Sequence, residues 1–277
     1  AMELYQRGLL SKEDSEGLEL NWGNYSAVLE LIRKIAFREG FGNLLADGVR
    51  IMAQKIGKGA EDYAIHVKGL EFSAVDARIS RAYGLAFAVN PRGGDHLHTN
   101  IMCQFGGTPE MVDIAIRMSE NSSGANPMVA EGKPKMVKYH EMLVTLADSL
   151  GLCFFHTCSC YRVDLDAILE MFNAATGFNL SKQELQDAAE RILSLERAIN
   201  IREGLTRQDD CLPRRMLKEK LPSGGVSIEF PRKQFESMLE EYYELHGWNG
   251  KTGFPETETL NKLRLEDVAK ELSKYSA

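Results

Sequence analysis

The period of the apolar residues limits the fold of this chain more than any other feature of its sequence. Run after run places them three and four apart, the spacing of one helix face, and strict alternation is scarce. "NYSAVLELIRKIAFRE", residues 24–39, opens on Asn24 or Ser26 as a cap and carries Val28, Leu31, Ile32, Ile35 and Ala36 on one side before Gly40 stops it. "NLLADGVRIMAQKIG" repeats the pattern with Leu44, Leu45, Val49, Met52 and Ile56 up to Gly57, so the two read as an antiparallel helix pair. Further helices are expected over Pro109 to Ser119, over about Pro134 to Asp148, and after a cap at Asp164. Ser181 and Glu184 form a capping box for "KQELQDAAERILSLERAINIRE", whose buried face is expected to be Leu185, Ala188, Ile192, Leu195 and Ile199. "FPRKQFESMLEEYYELHGW" makes a helix near the end, and a short one starts at about Glu266. "SRAYGLAFAV" is a small-residue helix that breaks at Asn90-Pro91, and residues 63–76 read as extended. Met2, Leu4, Leu9 and Leu10 look like the last turns of an amphipathic helix. The expectation is a mostly α, multihelical fold.

With 277 residues and 44% apolar content, the chain can bury the core of one large or two ordinary domains. A net charge of −7 and the lack of a long basic run exclude a general nucleic-acid binder. No stretch of roughly 18 apolar residues occurs, so membrane insertion is not expected, and "AMELYQRGLL" lacks the regions of a signal peptide. Five cysteines, an odd number without a regular framework, fit a reducing compartment, and a cytoplasmic location is expected.

Two stretches could carry chemistry. In "LADSLGLCFFHTCSCYRVDLD" the spacing of Cys153, Cys158 and Cys160 matches no local zinc or redox pair. Asp148 stands at the C-terminal end of a helix, where the helix dipole disfavours an anion. Two readings stay open for it: a surface carboxylate beside a Gly151 cap, or an acceptor for a ligand's N–H groups. Cys153 is followed by Phe154 and Phe155, which suggests a buried thiol; three cysteines in eight residues also suit a metal or cluster with further ligands elsewhere. In "NPRGGDHLH", His96 follows a turn flexible enough for close approach to a ligand, and Arg92 could clamp an anion. Both also fit ordinary surface positions.

Six segments, "GNYSAVLELIRKIAFREGFGNLLADGV", "VKGLEFSAVDAR", "YGLAFAVNPRGGDHL", "DSLGLC", "REGLTRQDDCLPRRML" and "EEYYELHGW", keep one order and spacing. Together they closely resemble the C-terminal helical region of the tungsten-dependent aldehyde:ferredoxin oxidoreductase family. The resemblance implies two packed all-α domains: residues 1–68 as the end of a middle helical domain and 69–277 as a C-terminal helical domain. It also implies a tungsten bis-molybdopterin and a 4Fe-4S cluster. Cys153 would be the fourth cluster ligand, the others lying in a C-x2-C-x3-C motif before residue 1. Asp148, with Gly151 and Leu152, would hold the amino-pterin of one ligand, and His96 would be the histidine near the metal. Where some members read "AYDPR", this chain reads "AVDAR", with Val75 and Ala77. The implied activity is oxidation of a small aldehyde to a carboxylic acid, with ferredoxin or another electron-transfer subunit as acceptor and a homo-oligomer as one arrangement. Two alternatives stand beside it: the tungsten subunit of a benzoyl-CoA reductase type complex acting on an aromatic thioester, and a cofactor-free helical interaction module. On this reading the chain holds half of an active site.

Overall fold

Side-chain caps explain where several of the longer helices begin. In the computed structural model, which describes residues 1–275, short α1 (Met2–Gln6) is followed by α2 (Tyr25–Phe37), where the Asn24 side chain accepts from Ala27 N–H. The stretch expected as one helix after Gly40 is two, α3 (Phe41–Leu45) and α4 (Gly48–Ile56), because Gly48, where α4 begins, takes a left-handed φ of 85°. A two-residue hairpin, β1 (His66–Val67) with β2 (Leu70–Glu71), is what the extended stretch becomes. Its Glu71 carboxylate accepts from Val49 N–H, 2.7 Å away, at the start of α4. Ser80 caps α5 (Arg81–Val89), and Thr108 caps α6 (Pro109–Ser119).

Central α7 (Lys133–Leu150) packs against α5 and α6. A five-residue π-helical turn, Phe155–Ser159, follows it. Asp164 caps α8 (Leu165–Thr176), and the Ser181–Glu184 box caps α9 (Lys182–Arg202), which lies along α7. The rest is α10 (Arg214–Lys218), an antiparallel hairpin of β3 (Leu221–Ser223) and β4 (Val226–Ile228), α11 (Arg232–Leu245), α12 (Thr257–Lys262) and α13 (Glu266–Leu272). The fold is mostly α. Among the described residues, no helix is long and apolar enough to cross a membrane.

The main core gathers α5, α6, α7 and α11, with Tyr83, Phe87, Met136, Phe230, Phe235 and Tyr243 fully buried. Leu4, Leu10, Leu20, Leu31, Phe41 and Met52 form a separate cluster within residues 4–64. One apolar face lies largely open, and one expected buried face is corrected. On α2, Leu31 is buried, but Val28, Ile32, Ile35 and Ala36 are exposed, and the first three line an apolar groove of about 520 Å³ with Val49 and Met52. The helix packs closely on α3: a Cβ at Gly42 would come within 2.3 Å of the Lys34 backbone. On α9, Leu185 is buried, whereas Ala188, Ile192, Leu195 and Ile199 are exposed. The buried ridge is Leu185, Ala189, Leu193, Arg197 and Ile201. Arg197 is passed over by a reading based on apolar character, yet it is buried because Asp210 neutralises it at 2.7 Å.

Candidate active site

The C-terminal end of α7 sets out two of the expected residues. Gly151 closes the helix at φ 68° with open space around its Cβ position, so glycine is favoured there by conformation and not by crowding. Leu152 N–H bonds back to the Ala147 carbonyl at 2.8 Å. Asp148 is exposed in this last turn, and among the described residues no donor reaches its carboxylate. An anion at this end of a helix gains nothing from the dipole. Its two oxygens are open to N–H donors from outside the chain.

Cys153 leads into the π-helical turn, and its carbonyl accepts from His156 N–H at 3.1 Å and Thr157 N–H at 3.3 Å. The thiol is exposed, contrary to the burial that Phe154 and Phe155 suggested; Phe155 is 68% exposed. Both aromatic rings follow the sulfur in sequence, but the turn directs Phe155 away from the core. The His156 ring, then the backbone N–H groups of His156 and Phe155, hold the Cys153 thiol below the ordinary cysteine range. That favours the thiolate, the form that binds metals. Buried Cys158 goes the other way, pushed up to about 11 by desolvation. Among the described residues no three His, Cys, Asp or Glu side chains gather to hold a metal ion by themselves.

His96 is placed by the Gly-rich turn after α5. Cβ atoms at Gly93 and Gly94 would stand 2.3 Å from the Val67 carbonyl oxygen and 2.5 Å from that of Leu70, so this turn presses directly on the β1–β2 hairpin. Asn90 Nδ2 donates to the Asp95 carbonyl at 2.7 Å, and Arg92, expected as an anion clamp, pairs with Asp95 at 2.5 Å. The His96 ring lies near Tyr83 and Phe87, at centroid distances of 6.4 and 6.2 Å. Its Nδ1 is 3.0 Å from Ser73 Oγ. With Ser73 donating there, the neutral ring carries its proton on Nε2, the nitrogen left for a ligand. Val75 packs against the main core and Ala77 is fully buried, so the hydroxyl beside His96 comes from Ser73.

Residues that sequence reading missed join the two stretches. Asn100, with a left-handed φ of 45°, donates from Nδ2 to Ser159 Oγ at 2.6 Å, while its N–H bonds to the His96 carbonyl at 2.8 Å. The His96 turn is thereby tied to the turn that follows Cys153. Tyr161 adds a second tie: its hydroxyl accepts from Cys103 N–H at 3.1 Å and lies 2.8 Å from His140 Nε2. Burial pushes His140 down to about 4, and its Nδ1 faces the Met136 carbonyl, so a neutral ring accepts from Tyr161 at Nε2. Glu196 on α9 stands where it feels His98 and Arg92 from one stretch and Asp148 from the other. Leu97, Met102, Phe105, Leu150 and Phe155 leave apolar surface exposed in these same stretches. An exposed carboxylate that no protein donor reaches and an exposed thiol thus lie five residues apart, and the stretch that anchors the His96 imidazole is tied to theirs through Asn100 and Ser159.

Residues 1–265 match the sequence family described as "Aldehyde ferredoxin oxidoreductase, domains 2 & 3". The chain belongs to the aldehyde ferredoxin oxidoreductase family. A tungsten-containing aldehyde ferredoxin oxidoreductase of Pyrococcus abyssi is 35% identical over 96% of this chain and 42% of its own length. The WOR-like subunit of an aliphatic sulfonate oxidoreductase from Pyrococcus furiosus is 32% identical over 99% of this chain and 40% of that relative. Among solved structures, the active-site complex BamBC of benzoyl coenzyme A reductase with 1,5-dienoyl-CoA superimposes with a TM-score of 0.77 at 28% identity, covering 98% of this chain and 43% of that one. The chain thus spans about two-fifths of the length of the relatives it matches.

Proposed function

We propose that the polypeptide carrying this chain is a tungsten-pterin oxidoreductase that oxidises a small aldehyde to a carboxylic acid and passes the electrons to ferredoxin or a similar electron-transfer protein. The observation that carries this reading is the pairing, five residues apart at one helix end, of an exposed Asp148 without a protein donor and an exposed Cys153 beside the His156 ring and the N–H groups of its turn. Family membership supports it. Asp148 accepts N–H bonds from the amino-pterin, with the backbone at Gly151 and Leu152 beside it. Cys153 supplies one thiolate to a 4Fe-4S cluster whose other cysteines lie outside this chain. When bound, the tungstopterin supplies a two-electron redox centre and the cluster a one-electron relay. His96, anchored through Nδ1, offers its Nε2 proton to the carbonyl oxygen as charge develops there. The separate core of residues 4–64 supports assigning 1–68 to one helical domain and 69–277 to another.

A second reading, reduction of an aromatic thioester, is favoured by the likeness to the benzoyl coenzyme A reductase complex. The test is turnover of the full-length, anaerobically prepared protein with aldehydes and with aromatic thioesters, followed by a viologen dye. Aldehyde-dependent dye reduction is expected, falling about 10²-fold in His96→Ala while tungsten and iron stay bound. Unchanged turnover in that variant would refute the role of His96, and turnover of thioesters alone would favour the second reading.

A further inference from the structure

A line of polar side chains leads from Asp148 along the seam between α7 and α9. On α7, Glu141, Thr145 and Asp148 are four and three residues apart and so share one side of the helix. Glu196 on α9 lies opposite, near enough to feel the charges of Glu141 and Asp148, and its Oε2 is 3.8 Å from His98 Nε2. Farther along, His246 Nε2 is 3.5 Å from Glu141 Oε2, and His246 Nδ1 is 2.6 Å from Glu190 Oε1. Glu190 and Lys138, paired at 3.0 Å, line a cleft of about 410 Å³ together with Gln186 and Asp187.

Five atoms on this line have no hydrogen-bond partner among the described residues: His98 Nε2, Glu196 Oε2, Thr145 Oγ1, Glu141 Oε1 and His246 Nε2. Glu141 is 1% exposed and His246 2%. Buried polar atoms are seldom left unpaired, and a run of them in one seam is the usual setting of ordered water. Tyr242 fixes one oxygen of Glu141 with a 2.8 Å bond and leaves the other open along the seam.

We propose that this seam holds a chain of ordered water and conducts protons from the cofactor face at Asp148 to the cleft at Glu190, with Glu196, Glu141 and His246 as relays. The proposal rests on the oxidation reading given under the proposed function. One aldehyde and one water give one carboxylic acid, two electrons and two protons; the electrons leave to ferredoxin, and the protons need a separate way out. At each relay an O–H or N–H bond forms on the inner side as another breaks on the outer side, so no group is consumed. The charged and titratable neighbours of the relays are Arg92 and His98 at the inner end, and Lys138, Glu190 and Asp187 at the outer end.

The test uses full-length holoenzyme. Glu141→Gln keeps the shape and the Tyr242 contact, and kcat for aldehyde should fall about tenfold with KM, tungsten and iron unchanged. Added imidazole or formate should restore part of that rate. Thr145→Val removes an unpartnered hydroxyl, so its Tm should hold or rise while kcat falls, a split that a merely structural role would not produce. A crystal structure of the full-length protein should place water on Glu141 Oε1 and Glu196 Oε2. Should Glu141→Gln not fold, the Thr145→Val rate and the water positions decide the matter. Full rate in the variants, or a dry seam, overturns the conduit while wild-type aldehyde oxidation stands. A metal-loaded wild type that oxidises no aldehyde overturns the oxidation reading itself, and the conduit with it.

Discussion

Replacing Asp210 by Asn should destabilise the chain far more than loss of one carboxylate oxygen would suggest. Asp210 is 1% exposed and faces two buried cations, Lys68 Nζ at 2.6 Å and Arg197 Nη1 at 2.7 Å, with Tyr243 OH donating to it as well. The cation side chains are 3% and 5% exposed, so water cannot take over the role of the lost charge. Arg197 also donates to the Gly253 carbonyl and Lys68 to that of Ala88, which holds both heads in place. Removing one partner of a buried ion pair costs about 3–5 kcal/mol. That is a large part of the roughly 5–15 kcal/mol that holds a domain folded. Urea unfolding followed by circular dichroism is the assay, with Lys68→Met/Asp210→Asn as the companion variant. The double variant should recover part of the loss, because it no longer buries an unanswered ammonium. A loss under about 1 kcal/mol for Asp210→Asn, or no recovery in the double variant, would refute the claim that the charges are desolvated.

Stability should also follow pH through the Glu190–His246 pair. Burial alone would raise the Glu190 pKa, but His246 and then Lys138 outweigh it and hold it at about 2 instead of 4.5. A lowered carboxylate pKa gives stability that is complete above 4.5 and lost as pH falls through about 2, at most about 3 kcal/mol. Burial lowers the His246 pKa, yet Glu190 and Glu141 raise it on balance, so its contribution is complete below 6.5 and lost as pH rises through the raised value. Thermal unfolding across pH should therefore show the pair's contribution peaking between 4.5 and 6.5 and disappearing from the pH profile in Glu190→Gln; an unchanged profile would contradict the pairing. At Asn100, Ala should cost about 2 kcal/mol, from the lost Ser159 bond and the left-handed backbone together, and Gly only about half of that. Equal melting temperatures for the two variants would mean that the backbone is not held left-handed.

Helix starts were legible because caps are local. Asn24, Asp164 and the Ser181–Glu184 box all act where their spacing places them. Burial was less legible, because it is set by partners distant in sequence. Arg197 belongs to the core ridge of α9 only because Asp210 answers it, and the apolar ridge beside it is left exposed. The break between α3 and α4 turns on one glycine at φ 85°, which a count of apolar spacing does not register. The positions of His96, Asp148 and Cys153 carried weight only as parts of a family pattern. The contacts that anchor His96 and tie its stretch to that of Cys153, Ser73 to His96 and Asn100 to Ser159, span 23 and 59 residues. No periodicity or motif spacing records a hydrogen bond over that distance.

Asp148 and Cys153 of this chain are proposed to hold a metal-pterin centre and a cluster. The most direct measurement is the tungsten, molybdenum and iron content of the full-length, anaerobically purified protein. About one tungsten and four irons per polypeptide are expected, as one metal centre and one 4Fe-4S cluster require. Folded protein containing neither tungsten nor iron would contradict the account and leave these helices as an interaction module that has kept the family's shape.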